Sequence, residues 1–157
     1  MNPFEKLHAA LKRRFAPAGS NSRLGLVDEA MQAADSVARA LSSSGYRADF
    51  SVASLRELDR FFDEHTEGGK PKAGGLLEDR RGQRLFAIGA YCGEVIRRQV
   101  GGTWTTDEDD PNAEINIVLV LPDGSVLWPV QRVMKRFTHG SEEGLYAYSL
   151  ALLRDFG

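Results

Sequence analysis

Glu94 stands in an almost wholly apolar run, LFAIGAYCGEVIRRQVGGTW over residues 85–104. An acid in such company can act as a general acid/base or as the anionic anchor of a binding site. Arg97 and Arg98 follow at helical spacings of three and four, within reach of the carboxylate, so a structural ion pair competes with that reading. Tyr91 and Trp104 flank the acid, and with Glu94 they define a candidate small-molecule pocket that residues 67–83 could cover as a lid. Spacing places no second catalytic group beside Glu94, which favours the structural pair and a chain without catalytic residues.

A second cluster, DEDDPNAE over residues 107–114, offers Asp107, Glu108, Asp109 and Asp110. Such oxygens suit calcium or magnesium. The run nevertheless lacks the alternating acids, central glycine and distal glutamate of an EF-hand loop, so no metal is expected. Beside Trp104 the four acids form a candidate surface for a basic protein partner, with charge steering the encounter. The opposite sign appears in VQRVMKRF, where Arg132, Lys135 and Arg136 line the side of a helix away from Val130, Val133, Met134 and Phe137. That face is a candidate for phosphate or RNA, but it has no interleaved aromatics, and a chain of net charge −2 does not call for nucleic acid.

Other chemistries are set aside. Cys92, the single cysteine, lies mid-helix among apolar residues, which marks a core thiol and excludes an internal disulfide; it fits a reducing, cytoplasmic setting. His8, His65 and His139 have no partner at zinc-ligand spacing. Lys70 is followed by Pro71 where a phosphate-binding loop needs Ser or Thr, and no serine sits in a nucleophile elbow. No cofactor is expected.

The elements that must position these residues follow from periodicity. Phe4, Leu7, Leu11 and Phe15 predict a basic amphipathic helix docked on its own domain rather than on a membrane. Ser20, Asn21 or Ser22 caps a second helix carrying Val27, Ala30, Met31, Ala34, Val37, Ala38 and Leu41. Ser54 with Glu57 has capping-box spacing, Ser51 being the alternative cap, for a third helix with Leu55, Leu58, Phe61 and Phe62 inward. TEGGKPKAGGLLEDRRG reads as a long surface connector. Residues 80–100 form the central helix: Gly89 and Gly93 allow another element to cross closely, and Gly101–Gly102 stop it.

Beyond that helix the period falls to two. A strand at 103–106, a second through AEINIVLVL with Ile115, Ile117, Leu119 and Leu121 on one face, and a third at SVLWP follow around a PDG turn. Pro129 opens the next helix. Ser141, backed by Glu142 and Glu143, caps the last, with Leu145, Tyr148, Leu152 and Phe156 as its buried stripe. No segment approaches the roughly 18–20 apolar residues of a membrane span, and the start lacks a cleavable leader pattern, so the mature protein is expected to be the whole chain.

Three of these stretches, FSVASLRELDRFF, LFAIGAYCGEVIRRQVGGTW and WPVQRVMKRFTHGSEEGLYAY, resemble a family of small bacterial proteins of unknown function. Its pattern is an S-L-x-x-L-D helix, a G-A-Y-x-G-E-V-I-x-R helix ending in G-G-x-W, a strand pair and a P-x-x-x-V-x-K-R helix, spanning residues 50–150 here. The resemblance implies an α+β fold, a cytoplasmic bacterial origin and, by association with toxin-neutralising proteins, an immunity-type binding role; it brings no catalytic residues. The expectation is one domain over 1–157, with N-terminal helices in 1–45, about five helices around a buried central helix and a small three-stranded antiparallel sheet. The expected function is non-catalytic protein binding, the alternative being a small-molecule binder or enzyme with its pocket near Glu94.

Overall fold

A computed structural model describes residues 25–156, in which helices and short antiparallel strands make an α+β arrangement. The expected helix on Phe4, Leu7, Leu11 and Phe15, the caps Ser20, Asn21 and Ser22, and His8 lie outside the described residues.

Helix α1 (Leu26–Ser43) buries Leu26, Ala30, Ala34, Ala38 and Leu41, a stripe at i, i+4 spacing. Its alanines let it lie close along the helix Arg81–Val100, whereas Met31 falls off the stripe and is exposed. Helix α2 (Ser54–His65) buries Leu55, Leu58, Phe61 and Phe62. The Ser54–Glu57 capping box does not form. Ser51 Oγ accepts the Ser54 N–H at 3.1 Å, because the Ser54 hydroxyl is turned inward to Tyr91, and Glu57 accepts from the Arg47 N–H and Arg60 instead.

The glycine-rich connector is more ordered than its composition suggests. Strands β1 (Thr66–Glu67) and β2 (Lys70–Pro71) form a hairpin whose two central residues, Gly68 and Gly69, have φ of 59° and 75°, the left-handed pair that a tight two-residue turn demands. Further along, Leu77 is fully buried and pins the segment to the core.

Helix α3 (Arg81–Val100) buries eleven of its twenty residues, and ends where Gly101, at φ 91°, donates its N–H to the Arg97 carbonyl at 2.8 Å. Strands β3 (Thr103–Thr105), β4 (Val118–Val120) and β5 (Val126–Leu127) then pair antiparallel in the order β3-β4-β5. Trp104, Leu119 and Leu127 align in one cross-strand row and are all buried. The strand expected through AEINIVLVL is shorter. Ala113–Asn116 is a single helical turn, α4, held by Asp110, whose carboxylate accepts from the Asn112 N–H at 2.8 Å and Asn116 Nδ2 at 2.9 Å.

Helix α5 (Pro129–His139) runs from β5, and a 3-10 turn (Gly140–Glu143) leads to α6 (Leu145–Leu153) and a final 3-10 turn (Arg154–Phe156). Ser141 does not cap α6: it lies in the 3-10 turn, and the free N–H groups of Leu145 and Tyr146 are taken by Asp59 of α2, at 2.9 and 3.0 Å. Of the expected stripe on α6, Leu145 is buried, while Tyr148, Leu152 and Phe156 are half-buried. The buried apolar residues, from Ala30 on α1 to Leu145 on α6, form one cluster.

Candidate functional site

The two glycines of α3 create the surroundings of Glu94. A Cβ at Gly89 would fall 2.7 Å from the Val130 Cα, so the start of α5 crosses α3 nearly backbone to backbone. A Cβ at Gly93 would overlap the Trp104 indole at Cη2 and Cζ2. The missing side chain is therefore the space into which Trp104 inserts, and it brings the indole Nε1–H to Glu94 Oε2 at 2.9 Å.

Arg97 completes the cage as a fork, Nε to Oε2 at 2.5 Å and Nη2 to Oε1 at 2.9 Å, and Arg98 Nε stands 3.7 Å from Oε1. Glu94 is 1% exposed. Burial pushes its carboxyl up, but hydrogen bonds from Arg97 and Trp104 and the two guanidinium charges outweigh that and hold it below the ordinary carboxylate range. An acid kept ionised, with both oxygens engaged, is poorly suited to move protons at neutral pH.

Tyr91 is not part of this cage. Its hydroxyl accepts the Phe50 N–H at 2.9 Å and shares a 2.6 Å hydrogen bond with Ser54 Oγ, tying α3 to the start of α2. Burial pushes the phenol up, against the hydrogen bonds from Ser54 and Phe50. Phe50 itself sits at φ 62°, its ring 4.6 Å from the Tyr91 ring and 3.6 Å below the Arg98 guanidinium. So Glu94 and Trp104 come together, and Tyr91 serves a separate joint. Burial pushes the Cys92 thiol well up, away from the thiolate a nucleophile needs.

The acidic run divides its labour. Glu108 Oε1 accepts the Leu26 N–H at 2.8 Å and so caps α1 from 82 residues away. Asp107 Oδ1 accepts the Asp109 N–H at 3.0 Å, and Asp110 holds α4 as described. Asp107, Glu108 and Asp109 are exposed and Asp110 half-buried. Among the described residues no three His, Cys, Asp or Glu side chains group to hold a metal ion.

The cationic face expected on α5 is overturned. Arg136 is 1% exposed, its Nε 2.9 Å from Asp59 Oδ1 and its Nη2 2.7 Å from Asp63 Oδ1, with the Asp59 carbonyl accepting a further bond at 3.0 Å. Arg132 pairs with Glu143 at 2.9 Å and lies over the Tyr148 ring. Only Lys135 of the three is exposed. The signal was in the geometry: Arg136 lies three residues from Val133 and next to Phe137, at the edge of the buried arc, and Asp59 and Asp63 share a face of α2.

One apolar surface went unread in the sequence. With Trp104, Leu119 and Leu127 inward, alternation turns Thr103, Thr105, Val118, Val120 and Val126 to the other face of the sheet, where Val126 is 40% exposed. Trp128, directly after β5, is 47% exposed, the most of any large apolar side chain among the described residues. Among the described residues no helix is long and apolar enough to cross a membrane. Comparison of the chain with protein-family profiles, curated proteins and solved structures found no match.

Proposed function

We propose that this chain is a non-catalytic binding protein whose partner is a basic protein, docked on the outer face of the small sheet. The observation that carries the reading is the exposure of Trp128 and Val126 on the sheet from whose end the loop bearing Asp107 and Asp109 springs. Exposed tryptophan is costly to leave in water and is over-represented among residues that dominate binding energy. The loop springs from Thr105 and returns to Val118, which pair at the end of the same sheet where β5 runs on into Trp128, so the acidic loop adjoins the exposed indole. The four consecutive acids Asp107, Glu108, Asp109 and Asp110 give this end of the sheet a local negative field that steers a basic partner inward. The resemblance to small bacterial proteins, with a cytoplasmic setting, makes an immunity-type role, the masking of a basic toxin's working surface, the form of binding we favour. Glu94 and Trp104 hold this surface from behind rather than lining a reactive pocket, and Tyr91 serves the separate joint to α2.

The test begins with the tagged full chain. A stoichiometric partner is identified, and the complex is then rebuilt from the two purified proteins. Trp128→Ala and the double change Asp107→Lys, Asp109→Lys should each weaken it at least tenfold, the charge reversal chiefly through a slower association that raised salt erases. A rebuilt complex indifferent to both would remove this face and the reading with it.

A further inference from the structure

The ring of His65, at the end of α2, is wired in one direction. The Leu76 N–H donates to Nδ1 at 3.0 Å, so Nδ1 carries no proton and the neutral ring must carry it at Nε2. Nε2 lies 3.0 Å from Tyr46 Oη, which therefore accepts from it; the tyrosine's own O–H is left to donate to Glu64 Oε1, 2.7 Å away. Every donor finds an acceptor only with this tautomer.

The segment that the ring holds returns close against α2. The Lys72 N–H donates to the His65 carbonyl at 2.9 Å, Gly75 N–H to the Lys72 carbonyl at 3.0 Å, and a Cβ at Gly75 would fall 3.1 Å from Nδ1. Beyond the ring, Gly74 N–H reaches Glu78 within the same segment, and Leu77 is buried. Between the β1–β2 hairpin and Leu77, the attachment of residues 72–76 to α2 thus passes through His65 and a long Lys72 Nζ contact to the Asp63 carbonyl, 3.3 Å.

We propose that His65 is a pH-operated latch: a proton added at Nδ1 replaces the acceptor of the Leu76 N–H with a donor and frees the Leu76 amide from α2, while the Lys72 N–H bond to the His65 carbonyl, the Arg84 bond to the Leu76 carbonyl and the buried Leu77 keep the rest of the fold closed. The titratable and charged groups around the ring and its latched residue are Glu64 and Arg60 on α2, Tyr46 on the α1–α2 connection, Lys72 and Glu78 on the segment, and Arg84 on α3, which donates to the Leu76 carbonyl. Burial disfavours the imidazolium most, Glu64 favours it and Lys72 opposes it, leaving the ring below its ordinary value. The ring freed of Leu76 thus binds the proton more readily than the latched one. Latching is complete above the free-histidine value of about 6.5 and is lost as pH falls through the lower value of the latched ring.

The test follows the 15N-labelled full chain by NMR from pH 8 to pH 4.5. At pH 8 the His65 ring nitrogens should report the Nε2–H tautomer. As the ring titrates, exchange of the Leu76 amide, corrected for intrinsic pH dependence, should rise at least tenfold while amides within α3 hold. His65→Gln should abolish the pH dependence of Leu76 exchange, Glu64→Gln should move its midpoint down and Lys72→Met should move it up. An Nδ1–H tautomer at pH 8, or Leu76 protection that persists through the ring's titration, overturns the latch.

Discussion

Glu94 and Arg136 are equally buried and oppositely charged, yet they are neutralised in different ways. Glu94 is answered by neighbours in sequence, Arg97 and Arg98 on its own helix and Trp104 just past the glycine stop. Arg136 is answered across 77 and 73 residues by Asp59 and Asp63, and Asp59 goes on to cap α6. The first cluster orients one helix and one strand. The second joins α2, α5 and α6 through one guanidinium and the carboxylate of Asp59, beside the Arg56–Tyr146 hydrogen bond and the Arg132–Tyr148 stack that also cross these helices.

The largest way to break this contrast is Arg136→Met. It keeps much of the volume but leaves Asp59 without its cation beside the start of α6, and the cost should be about 3 kcal/mol, the low end for breaking a buried pair, because Asp59 and Asp63 keep part of their hydration. Urea unfolding should show that loss, with α6 amides exchanging first. A loss under about 1 kcal/mol would mean that the long-range cluster does not organise these helices.

Glu94→Gln comes next. It removes the charge that three donors converge on, and hydrogen bonds to charged groups contribute about 1.5–3 kcal/mol each by deletion, less here because Arg97 is partly solvated. A cost of about 2 kcal/mol at pH 7 is expected. Because the folded carboxyl lies below its ordinary value, its contribution is present above the unfolded carboxylate value of about 4.3 and fades as pH falls through the folded one. The wild-type and Glu94→Gln stabilities should therefore converge as pH falls below the unfolded carboxylate value of about 4.3. A gap independent of pH would show that the ion pair adds nothing.

This contrast also explains what the sequence could disclose. The pairing of Glu94 with Arg97 was readable because helical spacing sets it. So were the faces of α1, α2 and α5, where apolar residues repeat at 3.6. Arg136 was misassigned because a polar side chain at the edge of a stripe has two homes, and only a partner 77 residues away decides between them. Asp59 displacing Ser141 as the cap of α6, and Glu108 reaching Leu26, belong to the same class. AEINIVLVL misled for another reason: its alternation satisfies a strand, but Asp110 and the Pro111–Asn112 step nucleate a turn that consumes its first residues.

Gly93→Ala sharpens the local half of the comparison. The added methyl must push the Trp104 ring, an overpacking cost of about 1–3 kcal/mol, against a gain of up to about 1 kcal/mol in helix propensity. The net should be a loss of about 1–2 kcal/mol with a shift in tryptophan emission. In the double variant with Glu94→Gln the two losses should fall short of additive, since a displaced indole no longer depends on the carboxylate. Full additivity would separate Trp104 from Glu94 energetically.

The smallest stability effect belongs to the outer face of the sheet, whose inner face Trp104 packs. Trp128→Ala alters a side chain that is about half in water and whose backbone role, the carbonyl that accepts the Arg132 N–H at 3.0 Å, survives the change. Stability should move by no more than about 0.5 kcal/mol. If Trp128 anchors a partner, the same variant should lose at least tenfold in affinity, about 1.4 kcal/mol. The separation of the two readouts is the point: a residue that packs the fold loses stability first, and a residue that meets a partner loses only the partner. Trp128→Ala unfolding readily would assign the ring to the sheet's own packing and leave the outer face without its anchor.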